Sequence, residues 1–330
     1  MNALAYGIIG VGHLGAIHAR VTSQMESLDL VGVYDTDTAR CREVAEQVGV
    51  QCFERMEDLL DAVEAVSIVV PTVHHFAVAK LALEHGCHIF LEKPITGTVD
   101  EAREIVRLAE NAGKKLQVGH IERFNPAILS LKDYALEPLF IEAHRLSPFN
   151  PRGTDVSVIL DLMIHDLDII LSLMKSPLRC IEASGVSVVS DSEDIANVRL
   201  IFENGAVANI TTSRISTKAM RKMRVFQKNM YIAIDFLKKQ SEVFQLGGSA
   251  ADTGKGLPVA TIGAGDRKKQ VFYTRPDVPE VNSMELELER FAQAIERGEH
   301  TPVTGEDGMH ALEVAATILQ KIRHPEDFSC

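Results

Sequence analysis

The chain opens with a short apolar run, residues 4–9, followed by Gly10-Val11-Gly12-His13-Leu14-Gly15 and a helical pattern over residues 16–27. No other feature limits the possible folds as much. Between a strand and a helix, the first glycine of GxGxxG permits a tight turn. The second lets a pyrophosphate approach the backbone, and the third lets the helix pack against the strand. The helix N-terminus then faces the phosphates, which makes Gly10, Gly12, His13, Leu14 and Gly15 candidate dinucleotide contacts. The next expected strand, residues 30–34, ends in Asp35, twenty residues after Gly15. A carboxylate there accepts hydrogen bonds from the adenosine ribose and repels the extra phosphate of NADP, so NAD is the expected cofactor. The competing role for Asp35 is N-cap of the following helix.

The alternation continues. Helical patterns over residues 39–48, 57–60, 75–84 and 100–112 are separated by apolar strands over 65–70, 89–91 and 116–119. Strands alternating with helices imply a doubly wound parallel sheet, whose ligands lie outside the carboxyl ends of the strands. One strand runs into Pro71 and Thr72, with His75 opening a helix. Another runs into Glu92, Lys93 and Pro94, and a third into His120, Glu122 and Arg123. Proline cannot donate to a ladder, so the second of these stops pairing at Lys93 and leaves an ammonium where a catalytic group belongs. Pro71, Thr72, His75, Glu92 and Lys93 are candidates on the cofactor side, and His120, Glu122 and Arg123 on the substrate side. Each also has a plain reading: a lysine in a surface turn, a polar residue at a helix start, a solvated loop.

A length of 330 residues suggests two domains, 1–120 for the dinucleotide and 121–330 for substrate and oligomerisation. The formal net charge of -12 disfavours nucleic acid or an anionic membrane surface as a partner. No apolar run approaches the length of a membrane span, and no basic leader precedes the first strand, so a cytoplasmic location is expected. Cys41, Cys52, Cys87, Cys180 and Cys330 are scattered and never form CxxC, which implies reduced thiols with no disulfide frame and no zinc site. His74, His75, His85 and His88 lie close together, but no carboxylate or thiolate is spaced to complete a metal site with them.

In the second half, Asn125 followed by Pro126 marks a helix start, and residues 139–146 alternate as a strand. A loop with Pro148, Pro151, Arg152 and Gly153 leads to a helix expected over residues 156–174. That helix places Asp161, His165 and Asp168 at i, i+4 and i+7, one polar stripe on an apolar helix. Strands are expected over 181–190, 196–202, 206–215, 223–227, 231–235 and 242–246, with Asn204-Gly205 as a hairpin signal. Sequential strands joined by turns imply an antiparallel sheet. Lysines and arginines cluster between Arg214 and Lys239, as a solvated face, a subunit interface or an approach for an anionic substrate. Residues 246–265, rich in Gly and Ala, read as a long flexible loop. Helices over 283–297 and 305–322 close the chain, with room to pack back on the first domain.

The chain resembles the Gfo/Idh/MocA family of oxidoreductases, through GVGHLG at residues 10–15, Asp35, PTVHH at 71–75, HIFLEKP at 88–94 and the segment 100–126. Where the family usually has Asn, this chain has Thr72 or Val73. The resemblance implies a Rossmann domain followed by an α+β domain with a large, mostly antiparallel, open-faced sheet. It implies a catalytic Lys93 before a cis proline, an acid–base pair in Asp161 and His165, and a homo-oligomer, dimer or tetramer, formed through the C-terminal sheet. The segments VGHIERFNP and LDLMIHDLD resemble the sugar-nucleotide branch. They imply NAD-dependent oxidation of a secondary hydroxyl, that of UDP-N-acetylglucosamine at C3, to a 3-keto sugar ready for transamination. Lys93, His120, Glu122, Arg123, Arg152, Asp161 and His165 would then meet the substrate, with Arg123, Arg152 and the Arg214–Lys239 cluster as donors to a diphosphate. The alternatives are a free sugar or inositol dehydrogenase of the same family and, in another class, a non-catalytic NAD-binding regulator.

Overall fold

The computed structural model describes residues 3–150, 156–247 and 256–325. Arg152, a candidate diphosphate donor, lies outside the described residues. The chain divides into two units, residues 1–121 with 281–313, and residues 122–280 with 314–330.

The first unit is built on β1 (Leu4–Ile9), β2 (Leu28–Tyr34), β3 (Gln51–Cys52), β4 (Ala65–Ile68), β5 (His88–Glu92) and β6 (Leu116–Gly119). They form one sheet in the order β3-β2-β1-β4-β5-β6, with every neighbouring pair parallel. The order reverses between β1 and β4, and that switch point is where doubly wound sheets bind their ligands. Helices α1 (His13–Thr22), α2 (Thr38–Val48), α3 (Met56–Asp61), α4 (His75–Glu84) and α5 (Val99–Asn111) make the crossovers. Local chemistry sets their ends. Asp37 caps α2 by accepting from the Arg40 amide at 3.1 Å, and Thr98 and Glu101 form a capping box on α5. Strands β4 and β6 are buried along their whole length, as parallel strands covered on both faces must be.

Residues 281–313 belong to this unit as well. They comprise α8 (Ser283–Arg297) and the first part of α9 (Gly305–Arg323). Met284, Leu288 and Phe291 of α8 join the core that includes Tyr6, Ile8 and Phe90, and Phe291 meets Phe90 edge to face at 5.9 Å.

The second unit carries β7 (Phe140–Leu146), β8 (Leu178–Val186), β9 (Ile195–Phe202), β10 (Val207–Ser213), β11 (Met220–Gln227), β12 (Met230–Asp235), β13 (Gln240–Gly247), β14 (Leu257–Ile262) and β15 (Lys269–Thr274). Their order is β14-β15-β13-β12-β11-β7-β10-β9-β8, antiparallel throughout except for the β7–β10 pair. Ile141, Ala143, Val198, Ile210, Val225 and Ile232 bury one face against α6 (Pro126–Leu129), α7 (Ile164–Leu173) and residues of α9 from Val314 onward. The fold class expected from the sequence, a doubly wound parallel sheet followed by an open-faced, mostly antiparallel one, is the fold observed.

Three expectations need correction. The segment expected as a flexible loop, residues 246–265, lies outside the described residues over 248–255, and its described part contains β14, followed by a 3-10 turn, Gly265–Arg267, and β15. All six residues of LPVATI are exposed in β14, so no apolar/polar alternation marks it as a strand. The helix expected from residue 156 instead begins with a π-helical turn, Ile159–Met163, and becomes α-helical at Ile164. The thiols are not all reduced: Cys41 and Cys52 are joined as a disulfide, with Cα atoms 5.7 Å apart. Their eleven-residue separation hides the pairing, because it is the run of β3 alongside β2 that returns Cys52 beside α2. Cys87 is a free thiol, buried, and burial pushes it up to about 11.

Candidate active site

Gly10 follows β1 with φ +87°, and a Cβ there would stand 2.6 Å from the Val69 carbonyl after β4. A Cβ on Gly15 would stand 1.9 Å from the Gly10 carbonyl, so the helix can approach the turn only as glycine. Gly12 is different: nothing lies within 4 Å of its Cβ position. It is the N-cap of α1, which has neither a capping side chain nor an acid in its first turn, whereas α2 and α5 both have a capping side chain. A helix start without a capping side chain, beside the open space at Gly12 and at the switch point, suits a pyrophosphate. His13 and Leu14 are exposed at this helix start.

Asp35 follows β2 directly. Its Oδ2 accepts from the Val11 amide at 2.7 Å and its Oδ1 from the Asp37 amide at 2.9 Å. It does not cap α2, a task Asp37 performs. The two amides orient the carboxylate and leave acceptor positions on both oxygens for a ribose diol. Turn, helix terminus and carboxylate together fit NAD, with the glycine turn and α1 amides for the pyrophosphate and Asp35 for the adenosine ribose.

Beyond β4, Pro71 and the short 3-10 turn Thr72–His74 run along the same strand-end side, with Val73 79% exposed. His75, expected as a cofactor contact, is held within the protein. Its ring is buried, with Nδ1 2.8 Å from the Pro94 carbonyl and Nε2 2.9 Å from the Val70 carbonyl. Burial pushes the imidazole towards its neutral form while the two carbonyls pull the other way. His75 thus ties the loop after β4 to the loop after β5.

Lys93 follows β5, half-buried, before a cis peptide to Pro94. Glu92 holds the position. Its Oε2 accepts from the Lys93 amide at 3.3 Å and its Oε1 lies 3.1 Å from His18 Nε2. Its carboxyl lies so close to Gly119 that a Cβ there would be 2.9 Å away. His120, one residue on, is 1% exposed, so its ring is enclosed by protein.

In the second unit the polar groups are mostly committed to one another. Arg145 projects from the inner face of β7 and is 2% exposed. It grips Asp166 through two bonds, Nε to Oδ2 at 2.7 Å and Nη2 to Oδ1 at 3.1 Å, and reaches Glu122 Oε1 at 3.0 Å. Burial works against charge on Arg145, but the two carboxylates outweigh it and hold the guanidinium well above its ordinary range. Burial pushes the Asp166 carboxyl upward and the paired bonds from Arg145 pull it back.

Glu122 and Arg123, expected as substrate contacts, are both engaged within the protein. Glu122 is 7% exposed and also accepts from the Asn125 side chain at 2.9 Å, steadying the residue that caps α6. Arg123 is joined to Asp168 by two bonds of 2.8 and 2.7 Å. Asp168 is therefore not part of one exposed stripe with Asp161 and His165. It is 1% exposed, whereas Asp161, in the π-helical turn, and His165, in the first turn of α7, are half-buried. A π-helical turn alters the phase between residues before and after it, and such turns concentrate at functional sites. Part of the basic cluster is paired: Arg214 beside Asp194 at 3.6 Å, Lys222 beside Asp235 at 3.6 Å and Arg224 on Glu142 at 2.9 Å.

Tyr6, His18, Ser67, Arg145 and Asp166 were not singled out from the sequence. Each interrupts an otherwise apolar face, a signal that is present but only interpretable once its partner is known.

Residues 4–120 match the oxidoreductase family with an NAD-binding Rossmann fold, and residues 137–232 match the GFO/IDH/MocA C-terminal domain. The chain is 38% identical over 315 residues to a UDP-N-acetylglucosamine 3-dehydrogenase of Acidithiobacillus ferrooxidans, covering 95% of each. A solved structure of the enzyme of that name from the same organism superposes with a TM-score of 0.86 at 34% identity, covering 97% of both chains. An inositol 2-dehydrogenase of Rhizobium meliloti is 25% identical over 98% of each chain. The chain belongs to the Gfo/Idh/MocA family of NAD-binding oxidoreductases and, like these relatives, is a dehydrogenase. Among the described residues no helix is long and apolar enough to cross a membrane, and no group of three or more His, Cys, Asp or Glu could hold a metal ion.

Proposed function

We propose that the chain oxidises the C3 hydroxyl of UDP-N-acetylglucosamine with NAD, giving a 3-keto sugar. The observation that carries the reading is 38% identity, across 95% of both chains, to a dehydrogenase named for that substrate. In this reading the first unit holds the cofactor and the second, with Asp161 and His165, meets the sugar. Bound NAD supplies the acceptor for the hydride that leaves C3. Lys93 and His165 are the acid–base candidates for the hydroxyl proton, and Asp161 orients the imidazole and steadies its charged form. The remote UDP provides binding energy that positions the reacting ring.

The enzyme should form NADH from UDP-N-acetylglucosamine, with UDP as a competitive inhibitor and free N-acetylglucosamine a very poor substrate. The assay includes an aminotransferase or another NADH sink, so that accumulating NADH does not stall oxidation. Rapid turnover of myo-inositol or a free hexose, with no binding of UDP, would replace this reading by that of the inositol dehydrogenases at 25% identity. A cytoplasmic location, where NAD and nucleotide sugars are held, accompanies the reading.

The same reading includes a homo-oligomer, dimer or tetramer, formed through the outer face of the nine-stranded sheet. Support comes from a row of aromatic rings crossing five strands on that face: Phe140, Phe226, Tyr231, Phe244 and Tyr273, with successive centroids 4.8 to 5.7 Å apart. Phe226 is 38% exposed within one chain. Light scattering on the eluted protein should give a multiple of 36.3 kDa, and Phe226→Asp should lower it.

A further inference from the structure

The interior of the first unit contains a line of polar side chains that neither sheet packing nor a pyrophosphate turn requires. Tyr6 of β1, His18 of α1 and Ser67 of β4 are each 0% exposed. The Tyr6 hydroxyl lies 2.7 Å from Ser67 Oγ, Ser67 Oγ lies 3.2 Å from His18 Nδ1, and His18 Nε2 lies 3.1 Å from Glu92 Oε1. The line ends at the Lys93 amide, which donates to the other oxygen of Glu92. Phe90 packs against the His18 ring at 5.6 Å and closes the site from the β5 side.

We infer that His18 is a positioning residue for the lysine loop, fixed in one tautomer by the relay from Tyr6 through Ser67 and holding Glu92 against the Lys93 backbone. The inference rests on the reading of Lys93 as an acid–base group. The chemistry of the donors sets the polarity. A carboxylate only accepts, so His18 Nε2 carries the hydrogen. A neutral ring then accepts at Nδ1, which takes the Ser67 hydrogen, and Ser67 Oγ in turn accepts from the Tyr6 phenol. Burial holds that phenol well above its ordinary range, keeping it a donor. The opposite polarity, with Nδ1 also protonated against Ser67, would place an imidazolium in a fully buried site. Every donor in the line therefore points towards Glu92. The Glu92 carboxyl is confined by His18, by the Lys93 amide and by the close backbone of Gly119. If His18 no longer holds it, the residue that fixes the Lys93 main chain is free to rotate. Displacements of that kind near reacting atoms cost turnover rather than affinity.

Two substitutions separate the two ends of the ring. Asparagine places an amide near the position of Nδ1 and keeps the Ser67 contact. Glutamine reaches the position of Nε2 and keeps the donor to Glu92. With UDP-N-acetylglucosamine and NAD, His18→Asn should lower kcat roughly 10- to 100-fold, leaving KM and the calorimetric Kd for NAD within about twofold. His18→Gln should restore most of that loss. Glu92→Gln should fall by a similar factor, and the double variant His18→Asn/Glu92→Gln should be no slower than the slower single one, because both break one contact.

Normal turnover by His18→Asn, or losses that multiply in the double variant, would overturn the inference. So would equal loss of NAD binding and thermal stability in both His18 variants, which marks a purely structural histidine. One measurement needs no substrate. Nitrogen NMR of histidine-labelled wild-type protein, assigned by the signal missing in His18→Asn, should show the Nε2–H tautomer. An Nδ1–H or imidazolium signal overturns the relay whatever the substrate proves to be. Unimpaired turnover by Lys93→Met removes the parent reading instead and leaves the NMR result standing.

Discussion

The two units handle charge in opposite ways. In the first, Asp35, Glu92 and Lys93 come at or directly after the ends of parallel strands, oriented by backbone amides or by one buried imidazole. In the second, Glu122, Arg123, Arg145, Asp166 and Asp168 pair with one another between the sheet and α7, with Arg221 also on Glu122. The cause is architectural. A parallel strand that ends has already used its ladder bonds, so the residues just past its carboxyl end face ligand or solvent. A helix laid on an open-faced sheet turns its inner side to an apolar core, and a charge there survives only when matched. A polar residue after a parallel strand is thus a functional candidate from the outset. A polar residue inside an apolar helix has no meaning until its partner on a distant strand is identified.

The sharpest way to break this contrast is Arg145→Leu. It leaves Asp166 as a buried carboxylate without its two-bond partner and Glu122 with only the longer Arg221 contact at 3.5 Å, and should cost about 3–5 kcal/mol of stability in urea unfolding. Arg145→Leu combined with Asp166→Leu should recover part of it. A loss below about 1 kcal/mol for the single variant would mean that water reaches these groups and the second unit is not built on matched charge. The counterpart in the first unit is Lys93→Met. It should leave the melting temperature and the Kd for NAD nearly unchanged while lowering kcat by at least ~100-fold. Normal turnover by this variant would remove Lys93 from the chemistry.

Those two residues also mark what was legible in the sequence. Lys93 stood out because an apolar run stops at a proline, and strand termination is a local property. Asp35 was legible for the same reason, as was the cap at Asn125. Arg145 lies in a segment that was recognised as a strand from its alternation. That same alternation puts it on one side with Ile141 and Ala143, the buried side. What could not be read was its pairing with Asp166, twenty-one residues away and on a different element. The stripe of Asp161, His165 and Asp168 assumed a regular α-helix; the π-helical turn at Ile159–Met163 breaks that assumption, and no residue type announces it. The Cys41–Cys52 link and strand β14 were missed because each depends on strand pairing that neither local pattern nor spacing records.

A smaller effect sharpens the first half of the contrast. If Asp35 acts through its carboxylate on the ribose, Asp35→Ala should narrow the preference for NAD over NADP by about tenfold or more, as expected for hydrogen bonds to a charged group. Part of the change should come from weaker NAD binding, because the variant also releases the Val11 and Asp37 amides whose hydrogen bonds Asp35 now accepts. Equal affinity of the wild-type protein for both dinucleotides, measured calorimetrically, would show that Asp35 serves only the turn.

The smallest effect comes from the other end of the strand that carries Lys93. His88 begins β5, and its Nδ1 accepts from the Lys115 amide at 2.9 Å. Burial first, then the neighbouring Lys114 and Lys115, pushes the imidazole down to about 4. The unfolded ring titrates near ~6.5. The folded state therefore binds this proton less readily than the unfolded chain does, and His88 favours folding at pH values above the unfolded value. That contribution is lost as pH falls from about 6.5 through about 4. His88 is half-buried, so solvent screening keeps the size on the order of 1 kcal/mol. His88→Asn can still accept from the Lys115 amide but cannot titrate. Stability measured by urea unfolding between pH 7 and 4 should thus fall less steeply for the variant than for the wild type, while the carboxylates contribute alike to both. Identical slopes would mean that His88 ionises freely in the folded protein. The amino end of β5 would then be as open to solvent as its carboxyl end, and the division of the first unit into a structural end and a functional end would fail.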